Sequence, residues 1–361
     1  MCRLEDVCSF FSGGTPSSSN KEFYGGNIPF IRSGELHKEE TELFITQSGY
    51  EHSSAKMVET GDILLAMYGA TSGDIAISKI NGAINQAILC IRTKHNKKFI
   101  ESVWNKHVSK ILMKYLQGGQ GNLSADIVKR ISFSLPSLAE QERISQFMQL
   151  IDERIATQNK VIDKLQSLIK GIVNYTILRK EQNATIGDVC SVSEQIRAEA
   201  KIDDIITVRL HGNGVCKSSA ENLQLGATQY YRRRAGQLIY GKQNFHNGAI
   251  GIVPLCLDNG ITSKDIPSFD IDKVKCNYIY LLAQLQSPQY YKPTEALTTG
   301  TGSKRLKEEA FLKMPIVLPN KREQDKIANL IYRASIDLDQ AKRLSELFST
   351  QKQYLLRQMF I

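Results

Sequence analysis

"LPSLAEQERI" occupies residues 135–144, and at 318–327 the chain writes the line again as "LPNKREQDKI". Five of the ten positions are identical, and Glu142 against Asp325 and Arg143 against Lys326 keep their charge. Pro136 and Pro319 favour an extended residue before them and a helix start just after, with Ser137 and Asn320 as caps. Downstream, apolar residues step by four and three. In the first half the stripe is Ile144, Met148, Ile151, Ile155, Ile162, Leu165, Ile169 and Ile172, interrupted by Gln158. In the second it is Ile327, Ile331, Leu338, Phe348 and Leu355, with Ala334, Ala341, Ser345 and Lys352 at the remaining positions. A narrow stripe of 3.5 periodicity over four heptads marks a coiled-coil seam, and two matched helices of roughly 40 residues, about 60 Å each, are expected to pair with one another. Each helix is attached at its start to a globule, so pairing puts the helices antiparallel, with the polar interruptions fixing register.

The repeat extends beyond the motif. At a shift of about 183 residues "LEDVCSF" (4–10) answers to "IGDVCSV" (186–192). "GDILLAMYG" (61–69) answers to "GQLIYG" (236–241), each a strand entered from a glycine turn. "GGQGNLS" (118–124) answers to "TGTGSKRLK" (299–307), a glycine-rich loop before a strand-like stretch that ends in Leu-Pro. The expected fold is α+β, two tandem strand-rich globules with short helices, separated by two long helices pairing as an antiparallel coiled coil with approximate twofold symmetry inside the chain. The boundaries read 1–136, 137–182, 183–318 and 319–361.

The 361 residues carry a formal charge of +9 and a pI near 9.0, which admits a polyanionic partner without proving one. No apolar run approaches the length of a membrane span, and the amino terminus lacks a secretory layout. Seven scattered cysteines without a C-x-x-C pair argue for reduced thiols in a cytoplasm. Enzyme signatures fail: there is no H-E-x-x-H, no G-x-S-x-G and no metal-ligand spacing of histidines. "GQLIYGKQ" (236–243) misses a phosphate loop, because its interior is strand-forming and Gln243 offers no hydroxyl.

The loops suit nucleic acid better. Between Arg209 and His246 six Lys/Arg stand against one acid, Glu221, interleaved with amide and aromatic side chains. Arg reads guanine and Asn or Gln reads adenine through paired hydrogen bonds, while Lys and hydroxyls anchor phosphates. "GGTPSSSNKEFYGG" (13–26) carries five hydroxyl side chains, and Lys106, Lys110 and Lys114 fall on one face of an expected helix. Tyrosines half-buried with their charges turned outward are the plainer reading of "YYRRR" (230–234).

The chain resembles the specificity (S) subunits of type I restriction–modification systems. The resemblance is carried by the duplicated Leu-Pro…Glu-Gln motifs leading into long helices, by "GGTPSSSNKEFYGGNIPFIRSGEL" (13–36) and by "GDILLAMYGATSGDIAI" (61–77). It spans both repeats, although nothing like Gly-Gly-Thr-Pro follows "IGDVCSVSEQ" (186–195) in the second globule. The resemblance implies that each globule is a target-recognition domain reading one half of a split double-stranded DNA site in the major groove. The paired helices would set the unspecified gap and dock two methyltransferase (modification) subunits, and through them the restriction subunits. It also implies a non-catalytic chain that binds no cofactor, with S-adenosylmethionine, ATP and Mg on partner subunits, in the cytoplasm.

For DNA contacts the matched segments of the first globule point to Thr15, Ser17, Ser18, Asn20, Lys21, Arg32 and Ser33. They also offer Tyr68, Thr71, Ser72, Gln117, Gln120 and Asn122. In the second globule the candidates are Arg209, His211, Lys217, Arg233, Lys242, Gln243, Asn244, Ser303 and Lys304. Gly13, Gly14, Gly69, Gly119 and Gly302 are read as shaping loops. The rival reading is a coiled-coil scaffold whose globules bind protein; a nuclease or methyltransferase in its own right is disfavoured by the missing motifs.

Overall fold

The computed structural model describes residues 1–116, 123–218, 228–299 and 304–359. The chain divides into two compact units, residues 1–159 with 343–361, and residues 160–342. Among the described residues four helices reach eight residues or more: α1 (Lys97–Leu116), α2 (Leu138–Val173), α3 (Tyr278–Leu285) and α4 (Lys321–Met359). None is long and apolar enough to cross a membrane.

The first unit is built on an antiparallel sheet in the spatial order Cys8–Ser12, Ile88–Thr93, Ile63–Ala66, Ile75–Ile77. Its third strand is buried along its whole length, which is why it reads as a continuous apolar run rather than an alternating one. Gly61 enters that strand at φ +93°, a conformation that costs glycine nothing. Helix α1 covers one face with Phe99, Ile100, Val103 and Trp104, and the Trp104 indole N–H donates to Gly73 O at 2.8 Å. A smaller mixed sheet (Phe44–Ile45, Tyr24–Ile31, Gly82–Ile84, Lys56–Val58) lies beyond it in the chain's loops. Gly13 passes so close to the last-but-one of these strands that a Cβ there would meet Ile84 O at 1.8 Å.

The second unit repeats the plan. Its sheet runs Cys190–Val192, Ser268–Ile271, Leu238–Tyr240, Ile250–Ile252, the same order of equivalent strands, and Gly236 enters the buried third strand at φ +87°. Both units also close their ends with a two-stranded ribbon, Cys2–Arg3 with Ser132–Phe133 and Ala184–Thr185 with Pro315–Ile316. The second core is more aromatic: Tyr240 stacks on Phe311 at 4.4 Å and on Phe269 at 5.8 Å.

The long helices start where the motif places them. Ser137 Oγ accepts from Glu140 N at 3.3 Å and Asn320 Oδ1 from Glu323 N at 3.0 Å, capping α2 and α4. Within the first unit Asp152 bonds Lys352 (2.5 Å) and Asn159 accepts from Ser345 (2.9 Å), so one partner's number rises as the other's falls. That is antiparallel packing, and two of the polar seam positions supply its register contacts. Within the second unit Val173, Ile177, Ile327 and Ile331 share one apolar cluster, and Lys180 bonds Glu323 across the pair. All thirteen apolar seam residues are buried or half-buried, from Ile144 and Met148 to Phe348 and Leu355. Burial pushes the Asp152 carboxyl up, but Lys352 and Lys98 on either side hold it below the ordinary carboxylate value.

The repeated motif makes the same set of bonds in each unit. Gln141, completely buried, donates to Pro136 O (2.9 Å) and accepts from the Asn96 backbone N–H (3.2 Å). Gln324 donates to Pro319 O (2.8 Å) and accepts from Asn277 N–H (2.8 Å). Each asparagine caps the helix of its globule: Asn96 Oδ1 accepts from Phe99 N in α1, and Asn277 Oδ1 from Ile279 N in α3. Each also donates at 2.7 Å to the acid next to the glutamine, Glu142 or Asp325. A buried polar group left without its partner costs about 1–3 kcal/mol. Gln324→Leu strands the Asn277 N–H and two carbonyls, and is expected to lower stability by about 1–3 kcal/mol in chemical denaturation. The exposed neighbour change Arg322→Ala is expected to stay within about 0.5 kcal/mol of the parent.

Candidate nucleic-acid interface

Strand directions decide where the loops gather. In the first sheet Ser12 ends its strand opposite Leu89, Ala66 opposite Ile88, and Leu65 faces Ile75. The loops that follow Ser12 and Ala66 and the turn that precedes Ile88 therefore leave from one end. Thr15 Oγ1 bonds Gln86 Oε1, Met67 N donates to Ala87 O at 2.8 Å, and Leu123 N donates to Met67 O at 3.3 Å. The fold thus collects Thr15, Ser17, Ser18, Asn20, Tyr68, Thr71 and Ser72 at that end, and delivers the chain on either side of residues 117–122 to it. Gln117, Gln120, Asn122 and Gly119 themselves lie outside the described residues.

Local chemistry orders this end. Ser17 and Ser19 share a 2.7 Å hydrogen bond, Asn20 caps the short turn Lys21–Phe23, and Ser72 Oγ donates to Met67 O at 3.1 Å. Thr15, Ser18, Lys21 and Tyr68 are exposed, and Gln86, exposed beside Thr15, is a member that the sequence patterns did not single out. The turn Ser33–Glu35 joins from the second sheet through His37, which bonds Asp74 at 2.9 Å.

Arg32 is less free than the sequence suggests. Its guanidinium fork is held by Glu35 (3.0 and 3.1 Å) and Glu42 (3.2 Å), so it anchors the 32–42 loop. Burial pushes the Glu35 carboxyl up, but the Arg32 fork and the backbone N–H groups of Arg32 and Glu42 outweigh it and bring the pKa to about 2.

The second unit builds the corresponding end from different side chains. Val192 and Leu238 both face Phe269, Ile239 faces Ser268, and Tyr240 faces Ile250, so the 241–249 turn and the segment entering Ser268 share one end. Leu306 N donates to Lys242 O at 2.8 Å, repeating the Leu123–Met67 bond. Gln243 and Asn244 are exposed there, Lys304 and Arg305 arrive beside them, and Arg305 pairs with Asp265 at 3.3 Å. Lys242 is largely covered, with its ammonium on Glu308 at 2.7 Å. Ser303 and Gly302 lie outside the described residues.

Four candidates fall elsewhere. Arg233 is a correction: it is fully buried, with Nε on Thr262 Oγ1 (2.7 Å), Nη1 on Ser268 Oγ (2.9 Å) and Nη2 on Ile266 O (3.0 Å). Burial lowers its pKa to about 10, and it pins the strands together from inside while its neighbours Arg232 and Arg234 are exposed. His211, at φ +59°, packs its turn on Asn247 and Gly248 and borders a hollow beside Ile169 and Val173 of α2. Arg209 stands exposed at the base of the same turn. Lys217 sits at the far end of the ribbon Ile206–Val208/Val215–Lys217, in a hollow shared with Arg232 and Asp258. Among the described residues no three His, Cys, Asp or Glu side chains gather in a metal-binding group.

One loop-bearing sheet end is thus built twice, on a common strand order with unlike side chains. A family model described as the type I restriction modification DNA specificity domain matches residues 1–167. Over residues 1–167, a little under half of its length, the chain is thus similar to the type I specificity domain. It is similar to the type I restriction enzyme MjaIX specificity subunit of Methanocaldococcus jannaschii, 26% identical over 176 residues, 45% of this chain and 40% of that one. The HindI specificity subunit of Haemophilus influenzae is 27% identical over 47% of this chain and 39% of its own. The chain thus spans about two fifths of these two relatives. The MjaVIII specificity subunit of M. jannaschii is 20% identical, over 90% of this chain and 83% of its own. In fold, the chain is like the S subunit from M. genitalium, with a TM-score of 0.62 at 12% identity over 100% of this chain and 95% of that one.

Because Glu35 has its pKa lowered on folding, its contribution to stability is fully present above about 4.5 and is lost as pH falls toward about 2. Glu35→Gln is expected to destabilise the protein by about 1–3 kcal/mol at neutral pH. It should also flatten the acid limb of a stability–pH curve between about 4.5 and about 2, read by denaturation at stepped pH.

Proposed function

We propose that this chain is the DNA-reading subunit of a type I restriction–modification enzyme. Each globule reads one half of a bipartite site in the major groove with the loops at its sheet end. The observation that carries the reading is the pairing of a common scaffold with unlike reading chemistry. Hydroxyl and amide groups dominate the first end (Thr15, Ser18, Gln86), whereas amides and cations dominate the second (Gln243, Asn244, Lys304, Arg305). Two different half-sites call for that combination, since base edges differ in their donors and acceptors while the duplex presenting them does not. Lys106, Lys110 and Lys114 on α1 add phosphate-seeking charge close to the first end.

In this reading the long helices set the unspecified gap and dock two methyltransferase subunits, which bring S-adenosylmethionine. Restriction subunits join through them with ATP and Mg. The chain itself holds no cofactor and catalyses nothing; it chooses where methylation falls, in the cytoplasm.

Enrichment of random duplex DNA on the chain, co-purified with the methyltransferase encoded beside it, tests this. Two short blocks at a fixed unspecified spacing are expected. A single contiguous block, or no enrichment, would favour the globules binding protein instead.

A further inference from the structure

The latch formed by the repeated motif bears on specificity, and this inference rests on the function proposed above. We propose that Gln141 with Asn96, and Gln324 with Asn277, are positioning residues for DNA reading. Each pair fixes the angle at which a globule stands on its own long helix, and with it the tolerance for gap length.

The chain joins each globule to its helix through Leu135-Pro136-Ser137 or Leu318-Pro319-Asn320, a short extended joint. The latch crosses that joint. On one side it holds the first turn of α2 or α4 through Gln141 or Gln324, both buried; on the other it holds the cap of α1 or α3. The carboxylates of Glu142 and Asp325 add a second bond to each cap asparagine. A tilt of the globule on its helix breaks the buried set, because the amide cannot follow both the proline carbonyl and the asparagine N–H. One seat is therefore strongly preferred over its neighbours.

In the first unit the lever is explicit. Helix α1 has its cap at the latch and its last turn at the start of residues 117–122, which lead to Leu123 at the reading end. Its 20 residues span about 30 Å, so a tilt of only about 6–7° at the latch moves the far end by about 3.4 Å, one base-pair step. Small angular freedom at the latch is thus enough to blur the gap while leaving the reading loops and their preferred bases untouched.

The test uses the complex purified with its methyltransferase and compares gap lengths and half-sites recovered from random duplex DNA. One variant pair is Gln141→Met with Gln324→Met. The other is Glu142→Ala with Asp325→Ala, which removes the outer bonds together with the exposed contacts of these carboxylates to Gln146 and Lys321, leaves the buried amides in place, and keeps the proposal testable if the buried change impairs folding. Each is expected to retain both half-sites while losing about tenfold of the discrimination against gaps one base pair longer or shorter, the factor that about 1.4 kcal/mol commands. A gap as sharp as the parent's, whether or not thermal stability falls, would overturn the proposal and leave the latch a folding device. Loss of the half-site sequences together with the gap would overturn it too. A parent that recovers no two-block site would remove the underlying reading itself, which the parent lane reports separately.

Discussion

A buried glutamine side chain can satisfy its amide in few places, and this protein uses that constraint twice. Gln141 and Gln324 each bind the carbonyl of the proline that starts their helix and the backbone N–H that precedes another helix. The bonds are individually modest. Their force comes from burial, since a seat that breaks them leaves several polar groups dry. The repeated line of sequence is thus a joint, in which the shared glutamine makes the buried bonds and the shared proline supplies the carbonyl that one of them meets. Leu138 and Lys321, at one of the positions that differ, occupy exposed or half-exposed sites in the first turn.

What the joint carries is a sheet whose loops collect at one end. The strand order and the buried third strand are kept between the units, down to the Leu123–Met67 and Leu306–Lys242 backbone bonds. Backbone geometry is therefore held by apolar burial and main-chain pairing, which place few demands on loop side chains. The loops are free to differ, and they do: hydroxyl and amide groups in one unit, amides and ion-paired cations in the other. Separation of scaffold from loop chemistry lets one architecture carry two different sets of loop side chains.

The helices, their caps and their seam were legible because they are local and periodic: Ser137, Asn320 and the stripe from Ile144 to Leu355 need only neighbours within a turn or two. The latch partners were not, since Asn96 and Asn277 lie far from the glutamines along the chain and carry no motif of their own. Arg233 illustrates the other failure. In "YYRRR" three equal charges look equally exposed, yet strand geometry turns the middle one inward among Thr262, Ser268 and Ile266 O. The hydroxyl loop around Thr15 was visible as composition, but its union with Gln86 and Tyr68 depends on strand pairing that no linear pattern encodes.

Amide hydrogen exchange at Asn96 and Asn277 tests the joint most directly, because those two N–H groups are the ones the glutamines hold. If the account is right, both exchange as slowly as amides of the buried strands Ile63–Ala66 and Leu238–Tyr240, and only through opening of the whole unit. Exchange at the rate of an exposed loop at either asparagine would mean that the globule is not seated by the latch, contradicting the account.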